Sequence, residues 1–340
     1  MANKTTNFGL TKPLPEEFYD IGVHNDNMDI IDEELKKAAE AAKGGKRTVR
    51  LTVGTSDAGW TADQCDYLCD GTADDVEINA AIAALPATGG EIVLLDGSYD
   101  LAATIDLDKN YVVLRGNGHK TKLYRGFDGD RLINISGNYS TVADLSINGM
   151  NYSYTSTSNK GIYTNVSNTV IKNCTIEQEA GYGIHIAEGK AKVFGNTVLY
   201  CGESGIYIDD DDNVVVGNIV LECEEAGIKV CDKNNVVTGN VARLNKVANM
   251  YLYYATNCII TGNNFAVNDG DSIKPEDAIY LSGTSNTGNI VTNNQVGVGS
   301  MYVYGGTDNV VGNPAYTYGT TDLTAGSSAL TTGTLHFVYE

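Results

Sequence analysis

Short apolar runs separated by Gly, Asn and Asp dominate the chain from residue 161 onward. A four-residue motif recurs at steps of 22, 22, 22, 22, 29 and 22 residues. Its positions are, in order, a small residue, an apolar residue, an outward residue and a second apolar residue. It reads GIYT at Gly161, GIHI at Gly183, GIYI at Gly205, GIKV at Gly227, NMYL at Asn249, AIYL at Ala278 and SMYV at Ser300. Runs this short and this rich in β-branched residues predict strands and not helices.

A second pattern recurs in phase with the first, as an apolar run that ends in Gly-Asn or a near equivalent. Its final residues are Asn196, Asn218, Asn240, Asn263, Asn294 and Asn313, and Asn173 is the expected first member. A unit that cannot bury its own apolar face must stack on its neighbours, and units of this length stack as the coils of a parallel β-helix.

In such a stack, equivalent residues form columns with a spacing of about 4.8 Å between coils. We expect an inward column of Ile184, Ile206, Ile228, Met250, Ile279 and Met301. The Gly-Asn motifs predict an asparagine ladder at a turn, and Cys201 and Cys223 predict an inward cysteine stack. The 29-residue step predicts a loop around Asn268–Glu276 that bulges from its coil.

Segments before residue 161 predict less regular coils and a cap. Four apolar runs read as early coils: Gly89–Leu101, Tyr111–Gly118, Arg131–Ser136 and Val142–Gly149. A helix is expected over Ala73–Leu85 from the helical spacing of Val76, Ile78, Ala81, Ile82 and Leu85. This helix would cover the open end of the stack, because solenoids need caps that hide the first unpaired strand.

Heptad spacing near the N-terminus predicts a short helix over Asn27–Lys43. Its seam would consist of Met28, Ile31, Leu35, Ala38 and Ala42, with Asn25, Asp26 and Asn27 as N-cap choices. Arg47–Val53 alternates and reads as a strand. Thr334–Glu340 is a second β run, which follows a hairpin-like segment at 321–333.

Composition narrows the possible partners. The 340-residue chain has a formal net charge of −20, which argues against nucleic acid and against an anionic membrane surface. Its seven cysteines show no disulfide framework and read as reduced and buried, as in a protein made in a cytosol. No apolar leader or 18-residue apolar stretch is present, so we expect no secretory signal and no membrane insertion.

Three segments carry a resemblance to a known family. The opening TTNFGLTKPLPEEFYDIGVHNDNMDIIDEELKK (5–37) resembles the N-terminal attachment segment of tail proteins from phages and prophages of Gram-positive anaerobes. DYLCDGTADDVEINAAIAALPATGGEIVLLDGSYDL (66–101) resembles the start of the pectate-lyase-like β-helix of phage tail spikes, and TTDLTAGSSALTTGTLHFVYE (320–340) resembles tail-protein C-termini. The resemblance implies a virion appendage, usually a homotrimer, that touches the host surface.

The fold expected from these patterns is all-β, a right-handed parallel β-helix with about 22 residues per coil. We divide the chain into an N-terminal attachment segment with a short helix (1–46), a linker strand and capping helix (47–88), the β-helix (89–313) and a C-terminal β cap (314–340). Because the chain shows no secretory signal, release from the host cytoplasm by lysis is expected.

The outward residue of each GIxI motif forms a column of its own, namely Tyr163, His185, Tyr207, Lys229, Tyr251, Tyr280 and Tyr302. An exposed aromatic strip is unusual on a soluble monomer. Three interpretations stay open: contact with the sugar rings of a surface glycan, burial in a trimer interface, where Tyr is favoured, and cross-strand stabilisation of an open face.

The sequence gives weaker signals for catalytic or metal-binding residues than for the outward column. Glu203 and Glu225 are 22 residues apart and should stack at a separation of about 5 Å, which suits a retaining glycosidase. A calcium-dependent lyase would need clustered carboxylates and a basic residue, yet Arg243 is the sole arginine of the regular repeat and Lys229 the sole lysine of the column. The run Asp209, Asp210, Asp211 and Asp212 could bind Ca²⁺, although such runs are commonly solvated turns.

Two functional hypotheses follow. The first is a structural and receptor-binding component of a phage or phage-derived tail, which attaches to the baseplate or tail through its N-terminus, contacts host glycan with its β-helix and needs no cofactor. The second is a tail-spike enzyme, a glycosidase or lyase that cleaves host surface polysaccharide.

Overall fold

The computed structural model describes residues 3–4, 11–12, 21–44, 49–267, 277–283, 286–297, 301–304, 309–312, 315–319 and 334–338. The chain divides into two compact units, Met1–Thr48 and Val49–Glu340. The finer division of the second unit at residues 88 and 313 stays a prediction.

The second unit is a right-handed parallel β-helix, as the repeats predict, and each complete coil contributes one strand to each of three sheets. Two further strands, Arg50–Thr55 and Tyr67–Cys69, extend the second sheet alone. The first sheet consists of Ile105–Leu107, Arg131–Ile135, Lys160–Thr164, Tyr182–Ile186, Ile206–Ile208, Ala226–Lys233, Ala248–Thr256, Asp277–Ser282 and Met301–Tyr304. The second sheet consists of Tyr67–Cys69, Arg50–Thr55, Gly90–Leu94, Val112–Arg115, Thr141–Ala143, Val170–Lys172, Lys192–Phe194, Val214–Val216, Val236–Thr238, Ile259–Thr261, Ile290–Thr292 and Val310–Gly312. The third sheet consists of Gly97–Leu101, Thr121–Arg125, Ser146–Asn148, Thr175–Glu177, Thr197–Leu199, Ile219–Leu221, Val241–Arg243, Asn264–Val267 and Gln295–Gly297.

Strand register confirms the inward columns. In the first sheet the parallel register links, coil by coil, Ile184, Ile206, Ile228, Met250, Ile279 and Met301. The first five of these side chains are fully buried. Cys201 and Cys223 are also buried, as the 22-residue spacing indicates. The loop predicted around 268–276 lies outside the described residues.

The asparagine ladder is continuous over five coils. Asn196 Nδ2 donates to Asn218 Oδ1 at 2.9 Å, and the same bond is repeated down the ladder through Asn240, Asn263 and Asn294. The prediction that Asn173 begins the ladder is wrong, because the backbone N–H of Cys174, one residue later, donates to Asn196 Oδ1. Asn173 instead has a φ of +53°, the left-handed conformation that glycine adopts on the following coils. Asn313 lies outside the described residues.

Close packing explains the glycine that opens the regular motifs. A Cβ atom on Gly205 would lie 2.3 Å from Val220 Cγ1 and 3.1 Å from the carbonyl oxygen of Gly227 on the next coil. Gly183 is equally confined, with Val198 Cγ1 at 2.4 Å. The coil therefore admits only a residue without a side chain at this corner.

One helix covers the first coil, as predicted, over Asp75–Ala84. Ile78, Ala81 and Ile82 are buried, but the expectation for Val76 is wrong, since 58 % of this residue is exposed. The helix packs on the first strands of the sheets. Lys109 Nζ donates to the carbonyl oxygens of Ile82, Ala83 and Leu85 and so caps the helix C-terminus.

The first unit contains a helix at Ile21–Gly44 and an antiparallel pair of strands, Asn3–Lys4 and Thr11–Lys12. The helix begins earlier than predicted, so Asn25, Asp26 and Asn27 lie inside it and the N-cap assignment is wrong. Met28 and Leu35 of the predicted seam are exposed. Near the C-terminus, Ala315–Gly319 pairs in parallel with Thr334–Val338. Neither described helix is long and apolar enough to cross a membrane.

Candidate functional site

The outward column of the first sheet exists as a physical column. Parallel register links Tyr163, His185, Tyr207, Lys229, Tyr251, Tyr280 and Tyr302 on successive coils. The outer surface that the first six of these side chains cover is called the tyrosine face below. Each of the six is half-buried and not fully exposed, because neighbouring members cover one another.

Aromatic contacts organise the first part of the tyrosine face. The His185 ring stacks on Tyr207 with centroids 4.7 Å apart, and Tyr163 meets it edge-on at 5.2 Å. Tyr182 joins the group from the same strand as His185, with its ring 5.1 Å from that of Tyr207. Arg131 lies over the Tyr163 ring at 3.9 Å. These contacts are worth about 0.5–1.5 kcal/mol each and fix the rings in place.

Lys229 occupies the column between two tyrosines. Its ammonium lies 5.3 Å from the ring centroids of both Tyr207 and Tyr251, and its Nζ is 2.6 Å from Glu225 Oε1. Burial alone would lower the pKa of Lys229, but the hydrogen bond and charge of Glu225 raise it overall. Lys229 therefore carries a fixed positive charge in the middle of an aromatic surface.

The two candidate carboxylates lie beside this lysine. Glu225 accepts hydrogen bonds from Lys229 and from the Ser204 hydroxyl. Burial raises the pKa of Glu203, the charge of Glu225 raises it further, and Lys229 opposes both effects. Glu203 and Glu225 are therefore electrostatically coupled, and Glu203 holds its proton more tightly than an ordinary glutamate. Arg243 is the last residue of a strand of the third sheet, Val241–Arg243.

The four residues of the predicted acidic run, Asp209–Asp212, have three different sets of partners. Asp209 joins the tyrosine face, where its Oδ1 accepts from the Tyr207 hydroxyl at 2.8 Å. The neighbouring His185 ring lowers the pKa of Asp209, burial opposes this effect, and the Tyr207 hydroxyl lowers the pKa further. Asp212 Oδ1 accepts from the Asn234 amide at 3.1 Å.

The middle of the run forms a small acidic cluster. Asp210 and Asp211 gather with Asp232, with carboxylate oxygens within 4.8 Å of one another. Lys233 Nζ lies 2.6 Å from Asp211 Oδ2 and already supplies a positive charge there. Calcium binding by this cluster stays a prediction.

Several residues of the tyrosine face were not singled out by the sequence. Tyr182, Arg131, Lys160 and Tyr253 all contact members of the column. The sequence carries a signal for two of them, since Lys160 and Tyr182 precede successive motif glycines and pair in register. Tyr302 follows Tyr280 in the backbone register, and its side chain lies outside the described residues.

Comparisons with known proteins agree with the observed sheets. Residues 132–265 match the family described as "Right handed beta helix region". No curated protein has a significant match to the chain. The enzymatically active domain of tailspike protein 2 from bacteriophage CBA120 is similar at 12 % identity and a TM-score of 0.51, over 71 % of this chain and 44 % of that one.

Two further solved structures are similar at lower TM-scores. The A-module of mannuronan C-5 epimerase AlgE6 from Azotobacter vinelandii has 16 % identity and a TM-score of 0.45, over 80 % of this chain and 97 % of that one. Pectate lyase Pel9A has 15 % identity and a TM-score of 0.45, over 79 % and 75 % respectively. The matched family and the three parallel sheets together identify residues 132–265 as the coils of a right-handed β-helix.

Proposed function

We propose that this chain is a structural and receptor-binding component of a phage or phage-derived tail, which contacts host-surface glycan with the tyrosine face. Attachment to the baseplate or tail would use the N-terminal segment 1–46, and the protein would reside in the virion tail. The observation that carries the proposal is an ordered row of aromatic rings on the outside of a continuous parallel sheet.

Spacing and chemistry support a glycan as the ligand. Five of the six described column positions carry a ring, and successive coils lie about 4.8 Å apart, so the rings offer apolar surfaces along which sugar rings can lie. Lys229, Glu203 and Asp209 stand among these rings and can bond sugar hydroxyls. The contacts within the row hold the rings before a ligand arrives, which lowers the entropic cost of binding.

Co-sedimentation of the full chain with surface polysaccharides from Gram-positive anaerobes tests the proposal. Tyr207→Ala and Tyr251→Ala each remove one ring from the row and should weaken binding about tenfold, the effect of losing a single well-packed contact. Tyr152→Ala is the matched control, because Tyr152 is 87 % exposed and belongs to no part of the tyrosine face. Binding that survives both column variants unchanged would contradict the proposal.

A second function, cleavage of that polysaccharide, is favoured by one observation. Glu203, whose pKa is raised, lies in the field of Glu225, which is hydrogen-bonded to Lys229. Glycoside hydrolysis uses a pair of carboxyl groups, of which the one with a raised pKa protonates the leaving oxygen.

New reducing ends or unsaturated uronates in the polysaccharide would reveal cleavage. Glu203→Gln should then abolish product formation, whereas Glu224→Gln should not, because Glu224 pairs with Lys246 on the exposed surface. Wild-type protein that binds the polysaccharide and releases no product would reject the enzyme and leave the receptor-binding proposal intact.

We propose that the protein assembles as a homotrimer. In a trimer, the tyrosine face could be buried between subunits and would then not be available to bind glycan. Light scattering gives the mass of the assembled protein directly. If tyrosines of this face lay between subunits, Tyr207→Glu would dissociate the assembly, because a charge without a partner would be buried. We expect Tyr207→Glu to leave the mass unchanged and to reduce glycan binding.

A further inference from the structure

A groove on the third sheet offers a different surface from the tyrosine face. Parallel register places two polar columns side by side on its outer face: Lys122, Ser146 and Thr175 in one, and Tyr124, Asn148 and Glu177 in the other. The cavity that these six residues line, together with His119 and Ile147, has a volume of about 320 Å³. This volume lies within the range of small-ligand sites.

One wall of the groove is a short turn that presents a histidine. The 3₁₀ turn Gly118–Lys120 places His119 Nδ1 3.3 Å from the Ser146 hydroxyl and 3.5 Å from the Thr175 hydroxyl. Asn148 Nδ2 donates to Glu177 Oε1 at 3.1 Å. Lys122 is exposed, and it makes no ion pair with any residue that the structure describes. The groove thus offers both donors and acceptors, with a positive charge available at one end.

A second cavity of about 440 Å³ adjoins the first at Tyr124, which lines both. Thr72, Asp100, Ser153 and Tyr154 are among the residues that line it. Two cavities that share an aromatic residue fit an elongated ligand better than a compact one.

A buried ion pair stabilises the wall of the second cavity. Arg125, beside Tyr124 in the chain, donates to Glu179 Oε2 at 3.1 Å, and both side chains are fully buried. The same guanidinium donates to the carbonyl oxygens of Gly129 and Lys160, and it thereby ties one loop and the first-sheet strand Lys160–Thr164 to the third sheet. The wall of the second cavity, next to Tyr124 of the groove, is consequently held in place by buried contacts.

We propose that this groove is a second saccharide site, which binds an acidic oligosaccharide and makes the chain bivalent for surface glycan. Tyr124 contacts a sugar ring, Ser146, Asn148, Thr175 and Glu177 bond hydroxyls, and Lys122 with His119 holds the anionic substituent. The inference rests on the proposed function, because both surfaces would engage the same class of ligand.

The test begins with the full chain on an array of acidic and neutral bacterial surface polysaccharides. A short oligosaccharide from an acidic polysaccharide that binds is then titrated by calorimetry, and we expect two sites per chain. Lys122→Ala and Tyr124→Ala should each weaken one site about tenfold, and Tyr207→Ala should weaken the other. Lys246→Ala is the matched lysine control, since its partner Glu224 lies on the exposed surface.

Each outcome decides between the two claims. A single site that responds to Tyr207→Ala, but not to Lys122→Ala or Tyr124→Ala, overturns the groove and leaves the tyrosine face standing. Binding of neutral members alone overturns the acidic ligand. Failure to bind any member overturns the proposed function and the groove with it. Unchanged melting temperatures confirm that the exposed Lys122 and the half-buried Tyr124 can be replaced without unfolding.

Discussion

At the residue scale, buried amides do as much to define this molecule as apolar side chains do. Asn218 is fully buried, and its amide accepts from Asn196 while donating to Asn240 and to the carbonyl oxygen of Val193. Buried polar groups are costly unless they are bonded, and here each asparagine is satisfied by the next coil. The ladder therefore specifies register as well as stability.

Removing one rung should be severe. Asn218→Ala removes the side-chain oxygen that accepts from the Asn196 backbone N–H and from Asn196 Nδ2, and it removes the amide that donates to the Val193 carbonyl oxygen. We therefore expect a loss of about 3 kcal/mol in unfolding free energy. Urea denaturation measures this loss. Asn165→Ala, at an exposed position, is the control and should change stability by less than about 0.5 kcal/mol. Equal stability of the two variants would show that the ladder bonds are not needed.

The glycine corner makes a second residue-scale prediction. Gly205→Ala would force a Cβ atom against Val220 and Cys223, and overpacking of this kind costs about 1–3 kcal/mol. Gly312→Ala is the matched control, because its Cβ would meet only Thr292 Cγ2 at an ordinary 3.8 Å. Thermal unfolding should rank the two variants in that order, and a harmless Gly205→Ala would refute the packing explanation.

The buried pair of Arg125 and Glu179 makes stability depend on pH. Burial raises the pKa of Glu179 to about 7, against the opposing charge and hydrogen bond of Arg125. Between the ordinary glutamate pKa and about 7 the folded state holds a proton that the unfolded state releases, so this group lowers stability as the pH rises through that interval. Glu179→Gln should show a smaller loss of unfolding free energy between pH 5 and pH 7 than the wild type. An identical pH profile would contradict the assignment.

At the element scale, the end helix depends on a single cation. Lys109 Nζ bonds three carbonyl oxygens at the helix C-terminus, where positive charge is favoured. Lys109→Ala should therefore cost about 1.5–3 kcal/mol, the worth of hydrogen bonds to a charged group. Lys120→Ala, which loses only a surface pair with Asp96, should be nearly neutral. The comparison of their melting temperatures is the measurement.

Sequence periodicity predicts the coils of the β-helix, but it does not predict every residue of the ladder or the groove on the third sheet. The 22-residue steps predict the inward column correctly, because an apolar residue recurs at the same position of each repeat, as Ile206 and Ile228 do. Asn173 was misassigned because the pattern cannot tell which of two adjacent residues turns inward. The groove has no periodic signal in the sequence, because Tyr124, Asn148 and Glu177 differ in type and lie at steps of 24 and 29 residues.

At the scale of the whole molecule, the β-helix places two different chemistries on two sheets. The tyrosine face offers rings and a fixed lysine, whereas the groove of the third sheet offers hydroxyl-binding groups and an unpaired lysine among the described residues. A surface that binds a repeating polymer gains avidity when two sites can engage one chain. The formal net charge of −20 over the whole chain limits nonspecific attraction to anionic polymers.

Nuclear magnetic resonance of the full chain with ¹³C-labelled tyrosine rings tests the central claim most directly. On addition of a polysaccharide that the protein binds, the ring signals of Tyr163, Tyr207, Tyr251 and Tyr280 should shift, while that of the exposed Tyr152 should not. Binding that leaves these four signals unchanged would contradict the account of the tyrosine face.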